Sequence, residues 1–167
     1  MSGVANPKLA LRPYLQSDTG MLAIIFRNSV EELTGDDYNE EQQEAWASAV
    51  DDETDFAAKL AERLTLVATL GGSPIGFIAL EGTDKLDLLY VHPAATGQGV
   101  AAMLCDAIEK LAAARGAKKL KVEASDTAEG FFKHRGYEAQ QRNTVLRDGV
   151  WLANTTMEKP LAAKGAA

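Results

Sequence analysis

The stretch VHPAATGQGVAAMLCDAIEKLA, residues 91–112, predicts the end of a strand, a loop with glycines at 97 and 99, and an alanine-rich helix. Glycines let the backbone approach a ligand closely. A helix N-terminus presents unpaired N–H groups and the positive end of the helix dipole. Together these features favour phosphate binding. The alternative is a tight turn without a ligand, and the spacing matches neither the dinucleotide-binding fingerprint nor the P-loop.

The segments on either side of this loop predict a βαβ unit. Residues 85–91 are a predicted strand, residues 100–115 a long helix ended by Gly116, and residues 118–124 a second strand. Strands connected in this way are usually parallel neighbours in one sheet. Cys105 lies on the apolar face of the long helix, where we expect it in the core.

Before this unit the sequence predicts a strand, three helices and two further strands, and two hairpin turns join those two strands to each other and to the strand at 85–91. After the unit it predicts a short helix and a final hairpin. The remaining predicted strands are 8–13, 65–70, 74–81, 138–146 and 150–159, and the remaining helices are 21–33, 40–50, 56–63 and one within 126–136. Asn39 and Asp126 are predicted N-caps. We therefore expect an α/β fold of the mixed α+β type, with a mostly antiparallel sheet, one parallel pair and helices on both faces.

Length and composition are typical of one globular domain, expected over residues 1–160 with a disordered tail at 161–167. The chain has 167 residues, 46% of them hydrophobic, and a formal net charge of −7. We expect no membrane span, no signal peptide and a cytoplasmic location. The acidic charge argues against a general nucleic-acid binder. A single cysteine excludes an internal disulfide and a multi-cysteine metal site, and we expect no metal.

Two motifs give the sequence a resemblance to the GCN5-related N-acetyltransferase (GNAT) superfamily. In that family a strand ending in Val-x-Pro leads into Arg/Gln-x-x-Gly-x-Gly/Ala. Here LLYVHP at 88–93 is followed by TGQGVA at 96–101. A second family element, an Asn or similar residue followed by Ala, an aromatic pair and Gly-aromatic, is similar to SDTAEGFFKHRGY at 125–137. The resemblance covers about residues 64–159, and the element order extends it to nearly the whole chain, which implies a GNAT-like fold.

The resemblance implies that acetyl-CoA binds as co-substrate, with its pyrophosphate on the glycine loop. The residues implied to contact it are Leu89, Tyr90, Val91, Thr96, Gly97, Gln98, Gly99, Val100, Ala101, Ser125, Ala128 and Phe132.

Three of these positions depart from the family pattern. Thr96 stands where Arg or Gln is usual, which removes one contact to the pyrophosphate. Ser125 stands where Asn is common, although its hydroxyl can still hydrogen-bond the co-substrate. Phe132 stands where many members have the tyrosine that protonates the leaving thiolate, so another donor serves or the thiolate leaves unassisted.

The reaction that the resemblance implies is direct attack of an amine on the thioester in a ternary complex. Backbone N–H groups around Leu89 and Val91 would stabilise the oxyanion. The family often carries its base on this strand, at positions that are Asp87 and Lys85 here. Strand alternation predicts that residues 85, 87, 89 and 91 share one face and residues 86, 88 and 90 the other. Asp87 is the preferred base, because a carboxylate among apolar residues has a raised pKa; the alternative is a surface ion pair.

The acceptor is predicted to lie against the first helices. Phe26, Tyr38 and Trp46 could form its pocket, or could be core residues with helical spacing. Tyr90 either lines this side or packs in the core. Two functions remain open. One is an N-acetyltransferase acting on a primary amine of a small molecule or protein. The other is a non-catalytic acyl-CoA-binding module, which Phe132 supports because it lacks the hydroxyl that protonates the thiolate in many family members. A homodimer is also possible.

Overall fold

The computed structural model describes residues 8–162, and within them the elements follow the predicted order. Residues 163–167 of the predicted tail lie outside this range. The strands and helices are β1 (Leu9–Pro13), α1 (Thr19–Leu33), α2 (Glu40–Ala47), α3 (Glu53–Glu62), β2 (Leu64–Leu70), β3 (Ser73–Glu81), β4 (Lys85–Val91), α4 (Val100–Ala114), β5 (Lys119–Ser125), α5 (Glu129–His134), β6 (Glu138–Arg147) and β7 (Val150–Pro160). None of the helices described is long and apolar enough to cross a membrane.

The strands form one mixed sheet in the order β1-β2-β3-β4-β5-β7-β6. The neighbours pair antiparallel except for β4 and β5, which are parallel and joined by α4. The predicted fold class is therefore confirmed. The parallel pair follows from the length of its connection, because parallel strands need a crossover that a tight turn cannot supply.

Each face of the sheet has its own core. On one face α4 buries Leu104 and Ile108 against the sheet, together with Cys105 as predicted. On the other face α1 and α3 cover a second apolar cluster. Phe77 and Ile78 are neighbours on β3 and belong to opposite clusters, as strand alternation requires. Each fully buried side chain of this size stabilises the fold by roughly 1.5–3 kcal/mol.

The chain enters α1 through a buried acid. Asp18 is the N-cap residue, and its carboxylate accepts from Arg12 Nη1 and Nη2 at 2.7 Å and from the Leu15 N–H at 2.8 Å. The hydrogen bonds from Arg12, above all, lower the pKa of Asp18 below its ordinary value. The acid therefore fixes β1 to the start of α1.

The parallel pair is very short. In the described chain β4 and β5 are paired at Lys85–Lys121 and Leu86–Val122 alone. Both strands continue, to Val91 and to Ser125, but they diverge. A gap therefore opens in the middle of the sheet, directly before the glycine loop.

A β-bulge at Asp87 corrects the predicted alternation of β4. The register with β3 passes over Asp87, which has no partner in that ladder. One extra residue reverses the faces of the side chains beyond it. Leu86 consequently belongs to the α4-side cluster, whereas Leu88 and Tyr90 lie on the α1 side. The prediction that residues 86, 88 and 90 share a face is wrong for Leu86.

The start of α5 also differs from the prediction. Ala128 is its N-cap residue, and the Ala128 N–H donates to Ser125 Oγ at 3.1 Å. Asp126 is not the cap, because its carboxylate forms an ion pair with Arg142 on β6. Asn39, by contrast, caps α2 as predicted and accepts from the Gln42 N–H at 2.8 Å.

Candidate active site

A cavity of about 360 Å³ occupies the gap between β4 and β5. Its lining includes Ala101 and Phe132 from the α4 side of the sheet, and Phe26 and Phe56 from the α1 side. It therefore passes through the sheet. Of the residues predicted to contact the co-substrate, those in its lining are Leu89, Tyr90, Val91, Ala101, Ser125, Ala128 and Phe132. The other five, Thr96, Gly97, Gln98, Gly99 and Val100, lie in the loop that leads to Ala101.

The glycine loop presents backbone at the start of α4. Gly97 and Gly99 both have φ of +79°, and a Cβ on either would meet no described atom within 4 Å. Gly99 is the N-cap residue of α4, and no side chain of the described residues caps the helix. The first N–H groups of α4 are thus available to an anion at the positive end of the helix dipole. This geometry fits a phosphate group.

The polar side chains of the loop brace it internally. Thr96 Oγ1 donates to the carbonyl of Pro93 at 2.9 Å, and Gln98 Nε2 lies 3.4 Å from the carbonyl of Ala94. With these side chains turned inward, the outward donors of the loop are backbone N–H groups. Thr96, where the family usually has Arg or Gln, therefore braces the loop through the Pro93 carbonyl.

The cavity wall that follows β5 carries two hydroxyls and two aromatic rings, and one of the hydroxyls, that of Thr127, already donates to Asp37 at 2.8 Å. Ser125 Oγ accepts from Ala128, and its hydroxyl hydrogen meets no acceptor within residues 8–162. Phe132 is 3% exposed and packs edge-on against Tyr137 with ring centroids 5.1 Å apart. Its ring is part of the core as well as the wall, and it offers no proton. Ser125 is therefore the hydroxyl donor on this wall.

Asp87 lies on the cavity wall in an ion pair. Arg63 Nε donates to Asp87 Oδ2 at 2.7 Å, and the two side chains are only 11% and 17% exposed. The predicted apolar surroundings of Asp87 are wrong, because an arginine occupies them. The alternative, an ion pair with a neighbouring basic residue, describes this contact, although the pair is largely buried. Lys85, the other candidate base, pairs with Glu81 at 3.6 Å.

Arg63 is a site residue that the sequence did not reveal. It is the C-cap residue of α3, immediately before β2, and it also lies 3.3 Å from Glu81. A basic residue at a helix C-terminus is a common local pattern. Nothing local indicated its partner, because the pair depends on the bulge in β4.

Aromatic side chains enclose the α1 side of the cavity. The rings of Phe26 and Tyr90 lie 4.1 Å apart, and Tyr38 meets Trp46 edge-on at 5.2 Å. Trp46 Nε1 donates to the Tyr90 hydroxyl at 3.1 Å. These residues are at once core and cavity wall, so both of the interpretations left open by the sequence apply to them.

Tyr38 ties this aromatic wall to the far half of the sheet. Its hydroxyl donates to the carbonyl of Ala153 at 2.6 Å and accepts from the Asp126 N–H at 2.9 Å. Ala153 belongs to β7, and Asp126 to the connection between β5 and α5. Tyr38 therefore holds the loop after α1 across the gap. Within residues 8–162 no cluster of three His, Cys, Asp or Glu side chains is placed to hold a metal ion.

Comparisons with known proteins agree on one family. The family model described as acetyltransferase (GNAT) domain matches residues 34–161. The uncharacterized N-acetyltransferase YafP from Escherichia coli K12 is 32% identical over 149 residues, which cover 89% of this chain and 94% of that protein.

Solved structures share the fold. A GCN5-related N-acetyltransferase from Rhodopseudomonas palustris has a TM-score of 0.91 and 58% identity, covering 96% of this chain and all of that one (100%). The PaiA N-acetyltransferase from Thermoplasma acidophilum, in complex with coenzyme A, has a TM-score of 0.77 at 20% identity and covers 92% of this chain and 99% of that one.

Proposed function

Because this chain belongs to the GNAT acetyltransferase family, we propose that it transfers the acetyl group of acetyl-CoA to the primary amine of a small molecule. The observation that carries the proposal is the cavity between β4 and β5. It joins the uncapped start of α4 on one face of the sheet to an enclosed aromatic pocket on the other. Two reactants entering from opposite faces would meet at the diverging edge of β4. The enclosure favours a small molecule over a protein surface as acceptor.

The glycine loop is the part of the site suited to the phosphates of acetyl-CoA. Gly97 and Gly99 leave the space beside the backbone open, and the N–H groups of α4 are uncapped. The coenzyme A complex of the PaiA relative supports the choice of co-substrate. Ser125 and Ala128 would line the opposite side of the bound molecule, and Phe132 would pack beneath it.

The edge of β4 is the part suited to the reacting carbonyl. From Asp87 to Val91 the strand has no pairing with β5 among the described residues. Backbone N–H groups at such an edge, around Leu89 and Val91, are fixed donors for an oxyanion, and donors of this kind stabilise the transition state strongly. Holding the amine beside this edge supplies a further part of the rate.

Two cavity residues have separate roles in the proposed reaction: Asp87 accepts a proton from the amine, and Ser125 hydrogen-bonds the leaving thiolate. The ammonium form of the acceptor loses one proton to Asp87, directly or through water, and the neutral nitrogen then attacks the thioester carbonyl. As the C–N bond forms and the C–S bond breaks, the nitrogen releases its second proton to solvent. Arg63 holds the Asp87 carboxylate in place. The departing thiolate takes up a proton from solvent, and the free Ser125 hydroxyl is the group placed to hydrogen-bond it. The products are an N-acetyl amine and coenzyme A.

Calorimetry with acetyl-CoA and a CoA-release assay with a panel of primary amines test this proposal. We expect a dissociation constant below about 100 µM, which corresponds to roughly −5.5 kcal/mol, and amine-dependent CoA release. No binding at high micromolar acetyl-CoA would contradict the co-substrate. Binding without CoA release across the panel would contradict the transfer reaction.

A further inference from the structure

The α1 side of the cavity has mainly apolar walls, with the hydroxyls of Ser29, Thr34, Tyr38 and Tyr90 among them. Phe26, Val30, Val50, Phe56 and Leu88 line it. The Tyr90 ring packs between Phe26, at 4.1 Å, and Phe77, at 5.7 Å. The cavity reaches Tyr90, which keeps some solvent-accessible surface despite these neighbours. A ligand that fills this pocket therefore meets aromatic and aliphatic groups and the tyrosine hydroxyl.

The direction of the Tyr90 hydroxyl hydrogen follows from its partner. An indole N–H can only donate, so the 3.1 Å contact from Trp46 Nε1 makes the Tyr90 oxygen an acceptor. The hydroxyl hydrogen must point elsewhere, and it has no acceptor within the part of the chain that the structure describes. Burial raises the pKa of Tyr90 above its ordinary value, so the hydrogen stays in place at neutral pH. The pocket thus contains a fixed donor with no partner among the described residues.

Two charged groups that line the cavity, Asp87 and Arg147, act on this donor. Asp87 and Arg147 both contribute to the electrostatic environment of the Tyr90 hydroxyl. Asp87 is already paired with Arg63. Arg147 lines the cavity near its exposed rim, and among residues 8–162 it forms no ion pair. An ammonium group is therefore favoured near Asp87, and an oxygen of the same ligand near the Tyr90 donor and the Arg147 cation.

We propose that the acceptor is a small amine with an apolar, ring-sized body and an oxygen atom that accepts the hydrogen bond of Tyr90, with Trp46 fixing the direction of that bond. This inference rests on the proposed function. The apolar walls reward an apolar body. An acceptor without the oxygen would bury the donor unpaired, which in proteins costs about tenfold or more in binding.

Matched probes separate the oxygen from the rest of the ligand. 2-Phenylethylamine, phenylalaninamide and phenylalanine share the ring and the primary amine, and they carry hydrogen, a carboxamide or a carboxylate beside it. We expect kcat/KM for at least one oxygen-bearing probe to exceed that for 2-phenylethylamine by about tenfold or more. This preference should shrink to within about threefold in Tyr90→Phe and in Trp46→Phe. Trp151→Phe, which changes an exposed tryptophan on β7, is the matched control and should keep it.

The two kinds of oxygen are distinguished by Arg147→Gln. If the protein recognises a carboxylate, this variant lowers kcat/KM for phenylalanine and leaves phenylalaninamide nearly unchanged. If it recognises a neutral oxygen, phenylalaninamide is preferred and Arg147→Gln has little effect on that preference. Either result supports the role of Tyr90, provided that Tyr90→Phe removes the preference.

A binding measurement covers the case in which Tyr90→Phe fails to fold. Trp46 and Trp151 are the two tryptophans of the chain, so Trp151→Phe leaves Trp46 as the single indole reporter beside Tyr90. Titration of the coenzyme A complex of this variant should show tighter binding of an oxygen-bearing probe than of 2-phenylethylamine. Equal affinity, or an unchanged preference in a folded Tyr90→Phe protein, would overturn the proposal. So would failure of all three probes when acetyl-CoA binds; failure of acetyl-CoA itself to bind would instead contradict the proposed function.

Discussion

Arg63 donates from Nε to Oδ2 of Asp87 across 2.7 Å, and this contact joins the C-terminal end of α3 to the bulge of β4. The pair is largely buried, and its Asp87 member lines the cavity. The bulge turns Asp87 toward the end of α3, whereas a regular strand would have placed its side chain on the same face as those of Leu89 and Val91. The bulge thus directs the side chain of the candidate base toward Arg63, and the ion pair with Arg63 holds it there.

Asp87→Asn should lower turnover by about 10²–10⁴-fold, because the amide cannot accept the ammonium proton. Acetyl-CoA affinity should change little, since the proposed contacts of β4 to the co-substrate are backbone groups. Steady-state kinetics with a competent amine and calorimetry with acetyl-CoA measure the two effects. Glu81→Gln is the control, because Glu81 also contacts Arg63 but is more exposed. Full activity of Asp87→Asn would show that another group or water accepts the ammonium proton.

Gly99→Asp and Gly99→Asn separate charge from shape at the start of α4. Both side chains tolerate the left-handed backbone that φ of +79° requires. Only Asp places a negative charge where the phosphates are proposed to bind. The dissociation constant of acetyl-CoA should rise in Gly99→Asp by more than tenfold over Gly99→Asn, about 1.4 kcal/mol or more. Equal constants in the two folded variants would place the phosphates elsewhere.

Phe132→Tyr restores the hydroxyl that many relatives carry at this position. Turnover should stay the same or rise modestly, because a proton donor is added beside the proposed site of the thiolate. Phe131→Tyr, a change in the neighbouring ring that also lines the cavity, is the matched control and should give no gain. Single-turnover rates at saturating acetyl-CoA measure the difference. A fall of more than about tenfold, roughly 1.4 kcal/mol, in a folded Phe132→Tyr protein would show that the position cannot hold a hydroxyl.

Tyr38→Phe should destabilise the fold by about 1–3 kcal/mol, because the Ala153 carbonyl and the Asp126 N–H, both part-buried, lose the hydroxyl of a buried tyrosine as their partner. Urea unfolding at neutral pH measures the change. Tyr14→Phe is the comparison, since its hydroxyl has a single side-chain partner, Thr19, in a part-buried site. We expect a smaller loss there; an equal loss would show that the bridge across the gap adds no stability.

Asp18→Asn should destabilise the protein at neutral pH and not in strong acid. The pKa of Asp18 is lowered in the fold, chiefly by its hydrogen bonds to Arg12. An acid of this kind contributes stability above its unfolded pKa of about 3.9, and the contribution is lost as the pH falls through the lower folded value. Denaturant unfolding from pH 7 to pH 2 measures the difference. Asp51→Asn, which removes an exposed partner of Arg27, should cost about 0–1 kcal/mol at every pH.

The elements and the glycine loop could be predicted because their signals are local. Gly97 and Gly99 indicate a loop between a strand and a helix, and Asn39 indicates the start of α2. The bulge at Asp87 has no comparable signal, since it exists only in the register between two strands. Asp126 illustrates the same limit: a good capping residue by sequence, it pairs with Arg142, 16 residues further along the chain.

The candidate site could be predicted on its co-substrate side and only in outline on its acceptor side. Helical spacing indicated that Phe26 and Trp46 face inward. It could not indicate that the Trp46 indole meets the hydroxyl of Tyr90, 44 residues away. That contact depends on how α2 packs against β4, which is a property of the assembled fold.

The short pairing of β4 with β5 joins two longer ladders of the sheet, and we expect each ladder to open as a separate unit. One contains β1 to β4 and the other β5, β7 and β6, and two residue pairs connect their ladders. Amide hydrogens in the two units should therefore exchange with different opening free energies, as expected of separate foldons. A molecule bound across the gap would contact both units. Its binding should slow amide hydrogen exchange in both units together, so that even amides far from the bound molecule should exchange more slowly.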